Sequence, residues 1–363
     1  MSHPKALSAP VHPGGTIGIL GGGQLGRMLA MAAARLGLKV HVFSDEDDVP
    51  AFQVCHHRTV ERYDDIAALQ DFARHCDVVT FEFENVPAAA IAALAPLVPT
   101  YPNARALAVT QDRLHEKTFV REQGIATAPF ANVTSEAEAA SAFAQTGTPS
   151  ILKTRRFGYD GKGQAKVSSA EEAKAALARF AAPCLMEGFV PFSFEASVVA
   201  ARGLDGSFAA YDPPENFHAD HILRRSTVPG RLTKAQSEDA KAIAKKLMEA
   251  LDYVGVMATE LFVARDGSLL VNELAPRVHN SGHWTIEACA VSQFEQHIRA
   301  VAGWPLGNPA RHSDAVMENI IGAEAEDWLA YARRAGGLHL YGKAEARAGR
   351  KMGHFTSLSP RTG

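Results

Sequence analysis

The segment from Thr16 to Gly37 constrains the fold more than any other. A short apolar run, TIGIL from Thr16 to Leu20, meets Gly21, Gly22 and Gly23; apolar Leu25, Met28, Leu29, Ala32 and Leu36 then recur at helical spacing until Gly37 stops the pattern. A strand that turns directly into a helix leaves the next strand free to lie parallel to the first. The continuation follows that rule. Strand-like Lys39 to Phe43 (KVHVF) and Asp77 to Phe83 (DVVTFEF) flank a helix-like stretch from Asp64 to Cys76, and Leu97 to Thr100 comes after. Alternation of this length implies a parallel sheet covered on both faces.

At 363 residues the chain exceeds what one core organises, so further units are expected. Pro99, Pro102 and Asn103 interrupt the alternation, and a second unit begins near Thr110. It holds two helices signalled by Ser135 with Glu138 and Ser169 with Glu172, separated by strand-like runs around a glycine-rich loop at 153–164. A third unit follows Glu187 and Gly188. It has strands near 193–200 and 207–211, then a helix opened by Thr233 and Gln236 whose Ala240, Ile243, Ala244, Leu247 and Leu251 share one face. The expected organisation is a mobile tail at 1–15, a parallel-sheet α/β unit over 16–110, a small α+β unit over 111–190 and a larger α+β unit over 191–363.

Composition excludes several functional classes. A hydrophobic share of 47% and a charged share of 21% are those of a folded globular protein, and a net charge of −3 supplies no field for nucleic acid. Cys55, Cys76, Cys184 and Cys289 have neither metal-knuckle spacing nor a disulfide framework. No window reaches the roughly 18 apolar residues that span a bilayer. The expectation is a cytoplasmic protein acting on small molecules, with neither nucleic acid nor membrane as partner.

Three stretches carry chemistry. Gly21, Gly23 and Gly26 form G-x-G-x-x-G between a strand and a helix, with Asp45 where an acid holds the ribose of NAD(P). The same turn presents a helix N-terminus to any phosphorylated ligand, or is a tight turn with no ligand. Residues 153–164, KTRRFGYDGKGQ, set Lys153, Arg155, Arg156 and Lys162 among Gly158, Gly161 and Gly163, which reads as a phosphate loop or a solvated basic hairpin. It is not a Walker A loop, because Gln164 and Ala165 stand where Lys and Ser/Thr belong.

MATELFVA (257–264) and LLVNELA (269–275) flank Arg265-Asp266-Gly267-Ser268, a hairpin turn whose register sets Glu260 directly opposite Glu273. Opposed carboxylates destabilise a sheet unless one is protonated, a cation inserts, or a hard divalent ion binds between them; the alternative is a solvated edge that tolerates both glutamates, against which the apolar neighbours Leu261, Phe262, Leu270 and Val271 speak. Asn272 adds an oxygen, although strict alternation points it to the other face. In APRVHNSGHW the His279/His283 spacing matches a zinc helix, yet Asn280 replaces the glutamate such a motif needs and Gly282 weakens any helix. A polar, cationic turn suits a substrate anion better.

Together these features resemble the ATP-grasp superfamily. GGGQLGRML (21–29), FEFENVP (81–87), RRFGYDGKGQ (155–164), NELAPRVHNSGHWT (272–285) and GRKMGH (349–354) resemble the 5-(carboxyamino)imidazole ribonucleotide synthase family of purine biosynthesis. The resemblance implies an ATP-grasp fold: an N-terminal Rossmann-like parallel sheet binding ribonucleotide phosphate, a small central lid and a C-terminal α+β domain, with ATP between the last two. By matching position it implies ATP contacts from Arg113, Lys153, Gly158, Tyr159, Asp160, Gly161, Lys162, Gly163 and Gln164. It further implies adenine recognition by the backbone of Glu187, Gly188, Phe189 and Val190, ribose contacts from Glu195, nucleotide contacts from His218 and Asn272, and Mg²⁺ on Glu260 and Glu273.

For aminoimidazole ribonucleotide the resemblance points to Gln24, Leu25, Glu82, Arg155, Tyr159, Arg277, His279, Asn280, Arg350 and Lys351. Lys153, Arg155, Tyr159, Asp160, Arg277 and Lys351 would serve the chemistry. The implied reaction carboxylates the 5-amine of that ribonucleotide with bicarbonate and ATP, through carboxyphosphate, in a homodimer. Another ATP-grasp ligase, an NAD(P)-dependent dehydrogenase and a non-catalytic nucleotide sensor are the alternatives.

Overall fold

The computed structural model describes residues 5–158 and 161–362. The chain opens with β1 (Thr16–Leu20), α1 (Gln24–Arg35), β2 (Lys39–Ser44), β3 (His57–Val60), α2 (Ile66–Arg74), β4 (Val78–Phe81) and α3 (Ala88–Leu94). The four strands form a parallel sheet in the order β3-β2-β1-β4. Alternation along the strands feeds two cores. Ile17, Ile19, Val40 and Val42 pack with Leu25, Met28 and Leu29, whereas Leu20, Phe43, Val79 and Phe81 pack with Leu69 and Phe72. The edge strand β3 carries no apolar run that would announce it, and the expected strand at Leu97 to Thr100 reduces to one bridge between Val79 and Thr100.

The expected mobile tail is corrected for residues 5–15. The Lys5 N–H donates to Ala95 O (2.7 Å), the Val11 N–H donates to Ala302 O (2.9 Å), and the Trp304 indole N–H donates to Val11 O (2.7 Å). Val11 is buried in the same core as Ile17. One apolar side chain and a distant indole hold down a segment whose prolines and histidines suggest no partner.

Helices α4 (Ala104–Thr110) and α5 (Arg113–Glu122) come next. Phe119 and Val120 of α5 share a core with Val198, Leu247 and Val271, so this helix belongs to the large C-terminal unit and not to the small unit expected from residue 111. The lid proper comprises β5 (Phe130–Val133), α6 (Glu136–Thr146), β6 (Ser150–Thr154), β7 (Gln164–Val167), α7 (Ala170–Phe180) and β8 (Cys184–Gly188), with an antiparallel sheet in the order β5-β8-β6-β7. The Ser135 and Ser169 hydroxyls accept from the Glu138 and Glu172 N–H groups; the two glutamates accept in return from Thr134 and Ser168, one residue before each cap.

The C-terminal unit contains β9 (Phe192–Arg202), β10 (Phe208–Ala210), β11 (Glu215–Ala219), β12 (Ile222–Val228), α8 (Lys234–Ala250), β13 (Gly255–Ala264), β14 (Leu269–Ala275), α9 (Thr285–Ala288), α10 (Gln293–Val301), β15 (Ser313–Ile321), α11 (Trp328–Ala332), β16 (Gly337–Leu340) and β17 (Lys351–Pro360). Its sheet runs β14-β13-β9-β11-β12-β15-β17-β16, with β10 paired to β9. Thr233 and Gln236 form the reciprocal cap expected for α8. A buried imidazole fastens the first unit to this sheet: the Val256 N–H donates to His297 Nδ1 (3.0 Å), so Nε2–H donates to Thr80 Oγ1 (2.7 Å). Burial pushes His297 down to about 3, keeping it neutral in this bridge.

Candidate active site

The β13–β14 hairpin sets Glu260 opposite Glu273, and the register then shifts so that Leu261 pairs with Val271. Asn272 is the extra residue of that bulge. A bulge re-aims side chains, and here Asn272 and Glu273 both line the central cleft with Glu260. The Asn272 Oδ1 is buried without a hydrogen-bond partner. Each glutamate has its own partner: Glu260 Oε1 lies 3.1 Å from His279 Nε2, and Glu273 Oε2 lies 3.1 Å from Arg113 Nη1. Burial alone would raise the Glu260 carboxyl, but the His279 hydrogen bond and the charges of His218 and Lys351 hold it down to about 2.

Arg113, Glu116 and Lys117 share one face of α5 beneath this hairpin. Lys117 Nζ donates to Asn272 O (2.5 Å) and Val271 O (3.2 Å) and lies 3.6 Å from Glu187, which also binds Lys153 at 2.8 Å. Burial opposes ionisation of Glu187, yet Lys117 and Lys153 keep its carboxyl at about 2. Glu116 behaves oppositely: burial and the neighbouring Glu273 charge push it up to about 8, while it accepts the Leu274 N–H at 2.7 Å. Sequence reasoning missed Glu116 and Lys117. Their spacing of three and four residues from Arg113 was the available signal.

His218 Nδ1 lies 2.8 Å from Glu195, a neighbour across β9 and β11; burial lowers the imidazole's affinity for a proton, but this hydrogen bond prevails and raises it. Arg277 is clasped by Glu84 through two bonds of 2.5 and 3.1 Å, which holds the Glu84 carboxyl at about 2 against its burial. Asn280 exchanges amide bonds with Asn319 (2.9 and 2.6 Å). Arg155 is tied to Asp112 (2.7 and 3.0 Å), so it faces the cleft as a charge already partnered. Glu84, Asp112 and Asn319 also escaped sequence reasoning, because each is identified only by the partner it holds.

The first glycine motif departs most from expectation. The Gly23 and Gly26 N–H groups donate to the Glu82 carboxylate at 2.5 and 2.9 Å. A Cβ on Gly23 would come within 2.5 Å of Glu82 Oε1. The anion slot at the start of α1 is therefore filled by the protein's own carboxylate, and a phosphate there would meet a buried like charge. The glycines admit Glu82, not a dinucleotide or a ribonucleotide phosphate.

The cleft has a volume of about 940 Å³ and draws its walls from all three units. Gln24, Leu25 and Glu82 come from the first. Arg113, Lys153, Arg155, Gly158, Gly161, Lys162, Gln164 and Glu187 to Val190 come from α5 and the lid, and Glu195, His218, Glu260, Asn272, Glu273, Arg277, His279, Asn280 and Lys351 from the C-terminal unit. Gly163 and Arg350 do not line it, and Tyr159 and Asp160 lie outside the described residues. His283 also reaches the cleft. No helix among the described residues is long and apolar enough to cross a membrane, and all four cysteines are free thiols.

Three family models cover the chain: a ribonucleotide synthetase preATP-grasp domain over residues 15–111, an ATP-grasp domain over 118–294 and a phosphoribosylaminoimidazole carboxylase C-terminal domain over 315–362. The chain is 53% identical to an N5-carboxyaminoimidazole ribonucleotide synthase of Brucella melitensis, over 96% of its own length and 98% of that protein. It is 45% identical to the Pseudomonas aeruginosa protein of that name, over 94% and 93%. Among solved structures, the Staphylococcus aureus N5-carboxyaminoimidazole synthetase complexed with ADP is similar with a TM-score of 0.92 and 35% identity, covering 98% of this chain and 96% of that one. The Aspergillus clavatus N5-carboxyaminoimidazole synthase in complex with ADP and 5-aminoimidazole ribonucleotide gives 0.90 and 32%, over 96% and 94%. With a parallel-sheet unit, a lid and a large sheet converging on one cleft, and with these relatives matching along nearly its whole length, the chain belongs to the N5-carboxyaminoimidazole ribonucleotide synthase family of ATP-grasp enzymes.

Proposed function

We propose that the chain carboxylates the 5-amine of 5-aminoimidazole ribonucleotide, using ATP and bicarbonate and releasing ADP and phosphate, in purine biosynthesis. The observation that carries this reading is the convergence of Glu260, Asn272 and Glu273 with Arg113 and Lys153 in a cleft whose further wall is Glu82, Arg277, His279 and Lys351. Bicarbonate is a poor electrophile, so an oxygen of it must become a leaving group. A bicarbonate oxygen attacks the γ-phosphorus of ATP and the bond to ADP breaks. Carboxyphosphate then yields its carbon to the amine nitrogen, and phosphate departs.

The paired carboxylates and the unpartnered Asn272 oxygen have the donor chemistry of a magnesium site, and Mg²⁺ on Glu260 and Glu273 would neutralise charge on the transferred phosphoryl group. Arg113, Lys153 and Lys162 supply positive charge to ATP, and the lid backbone at 187–190 meets adenine. Glu195 and His218 hold the ribose, with Gly158, Gly161, Lys162 and Gln164 at the phosphates. For the ribonucleotide we assign Gln24, Leu25 and Glu82 to the ring and ribose, and Arg277, His279, Asn280 and Lys351 to positioning and charge. Closure of the lid keeps water from a labile acyl phosphate. The same reading takes the enzyme to be a cytoplasmic homodimer, which sedimentation equilibrium checks.

The test is ADP release from Mg-ATP with bicarbonate and the ribonucleotide omitted in turn. Release that requires both supports the reading. Release with another acceptor reassigns the product, and nicotinamide turnover or ATP binding without hydrolysis replaces the reading altogether.

A further inference from the structure

Outside the cleft, β16 and β17 set His339 and His354 directly opposite each other, and α9 brings Glu287 against them. One potential ligand atom from each of these three residues lies within 4.8 Å of the others. Glu287 Oε1 is 2.5 Å from His339 Nε2, but Glu287 Oε2 and His354 Nε2 are buried with no hydrogen-bond partner. His354 is fully buried, and its Nδ1 is already engaged by the Tyr341 hydroxyl at 2.9 Å, so Nε2 is the nitrogen left over. The strand is hollowed for the carboxylate: a Cβ on Gly337 would come within 2.4 Å of the Glu287 side chain.

We propose that Glu287, His339 and His354 form a second metal site, separate from the carboxylate pair of the cleft, that takes a borderline divalent ion such as Zn²⁺. Two imidazole nitrogens and one carboxylate oxygen suit Zn²⁺, whereas Mg²⁺ prefers an all-oxygen shell. A single ion answers both unpartnered atoms at once. It takes the lone pairs of both imidazoles and of a Glu287 oxygen, and the proton shared between His339 and Glu287 leaves to solvent. His339 retains partial exposure, which gives a water access to the fourth position. The two rings now stack at 4.5 Å with 9° between their planes, and on binding they tilt so that the lone pairs converge.

The site bears on the cleft through packing. The His354 ring lies 4.8 Å from that of His283, and β17 begins at Lys351, both of which line the cleft. An ion there fastens the C-terminal strand pair to the helix that follows the Arg277–His283 turn.

The experiment uses the full chain, stripped with a chelator and kept in excess Mg²⁺ so that the cleft carboxylates are occupied. It is titrated with Co²⁺ and then with Zn²⁺. One equivalent of Co²⁺ showing the visible bands of a four-coordinate nitrogen and oxygen site, displaced by one equivalent of Zn²⁺, is expected. His339→Ala and Glu287→Gln are each expected to weaken Zn²⁺ binding about tenfold or more while Mg-ATP binding persists. Absence of stoichiometric uptake, or unchanged affinity in both variants, would overturn the proposal. Should both variants fail to fold, carbethoxylation of His339 in the parent, read by mass spectrometry, decides: Zn²⁺ protects it if the site binds, and undiminished labelling refutes it.

Discussion

Replacing Glu187 with Gln probes how the cleft keeps several cations close together. The carboxylate is buried, 2.8 Å from Lys153 and 3.6 Å from Lys117. Its carboxyl is held at about 2 instead of 4.5, which corresponds to about 3 kcal/mol favouring the folded state at neutral pH. Because the folded value is the lower one, this contribution is present above 4.5 and disappears as pH falls through about 2. In Glu187→Gln, Lys117 is left only 1% exposed with two backbone carbonyls as its close partners. Removing one member of a buried pair costs about 3–5 kcal/mol, because the remaining charge is uncompensated.

Burial already lowers the Lys117 ammonium below 10.5, and the variant lowers it further. The penalty is therefore largest at neutral pH and eases as rising pH lets Lys117 lose its proton in the folded state. Urea denaturation of parent, Glu187→Gln and Glu187→Gln/Lys117→Met at pH 7 and at about pH 9.5 measures this directly. The double variant, with both charges gone, should recover about half of the loss or more. A single-variant cost below about 1 kcal/mol, the range of a surface pair, or a double variant no more stable than the single, would refute the reasoning.

Glu273→Gln should reduce turnover about 100-fold or more with an unchanged circular dichroism spectrum, and a near-parental rate in Mg-ATP would remove Glu273 from the metal role. Gly23→Ala drives a methyl to 2.5 Å from Glu82 Oε1, so KM for the ribonucleotide should rise about tenfold while KM for ATP holds; equal effects on both would contradict the assignment of Glu82. His218 is raised above 6.5 by Glu195, so its stabilisation is full below 6.5 and fades as pH rises through the folded value. The stability gap between parent and His218→Gln should accordingly narrow from about pH 6 to about pH 9, and a constant gap would count against the pair.

What the sequence discloses is what local rules determine. The Asp266-Gly267 turn announces the hairpin, but the strands leave it one residue off the expected register, with Leu261 opposite Val271, and the bulge at Asn272 is what brings Glu273 opposite Glu260. The sequence does not disclose that bulge, which turns the amide oxygen into the cleft against strict alternation. Gly21, Gly23 and Gly26 satisfy a dinucleotide pattern, but the anion they surround is Glu82, delivered by β4 from far along the chain. Likewise Lys117 reads as one more surface lysine of a charged helix until the hairpin closes over it. The edge strand β3 has no apolar run, because sheet pairing and not burial of every second residue holds it.

The most direct measurement of the proposed chemistry follows oxygen from bicarbonate. With ¹⁸O-labelled bicarbonate, Mg-ATP and aminoimidazole ribonucleotide, attack on the γ-phosphorus transfers one bicarbonate oxygen to each phosphate released, and ³¹P NMR should show singly labelled phosphate appearing in step with ADP. Unlabelled phosphate formed at the same rate as ADP would contradict bicarbonate phosphorylation in this cleft.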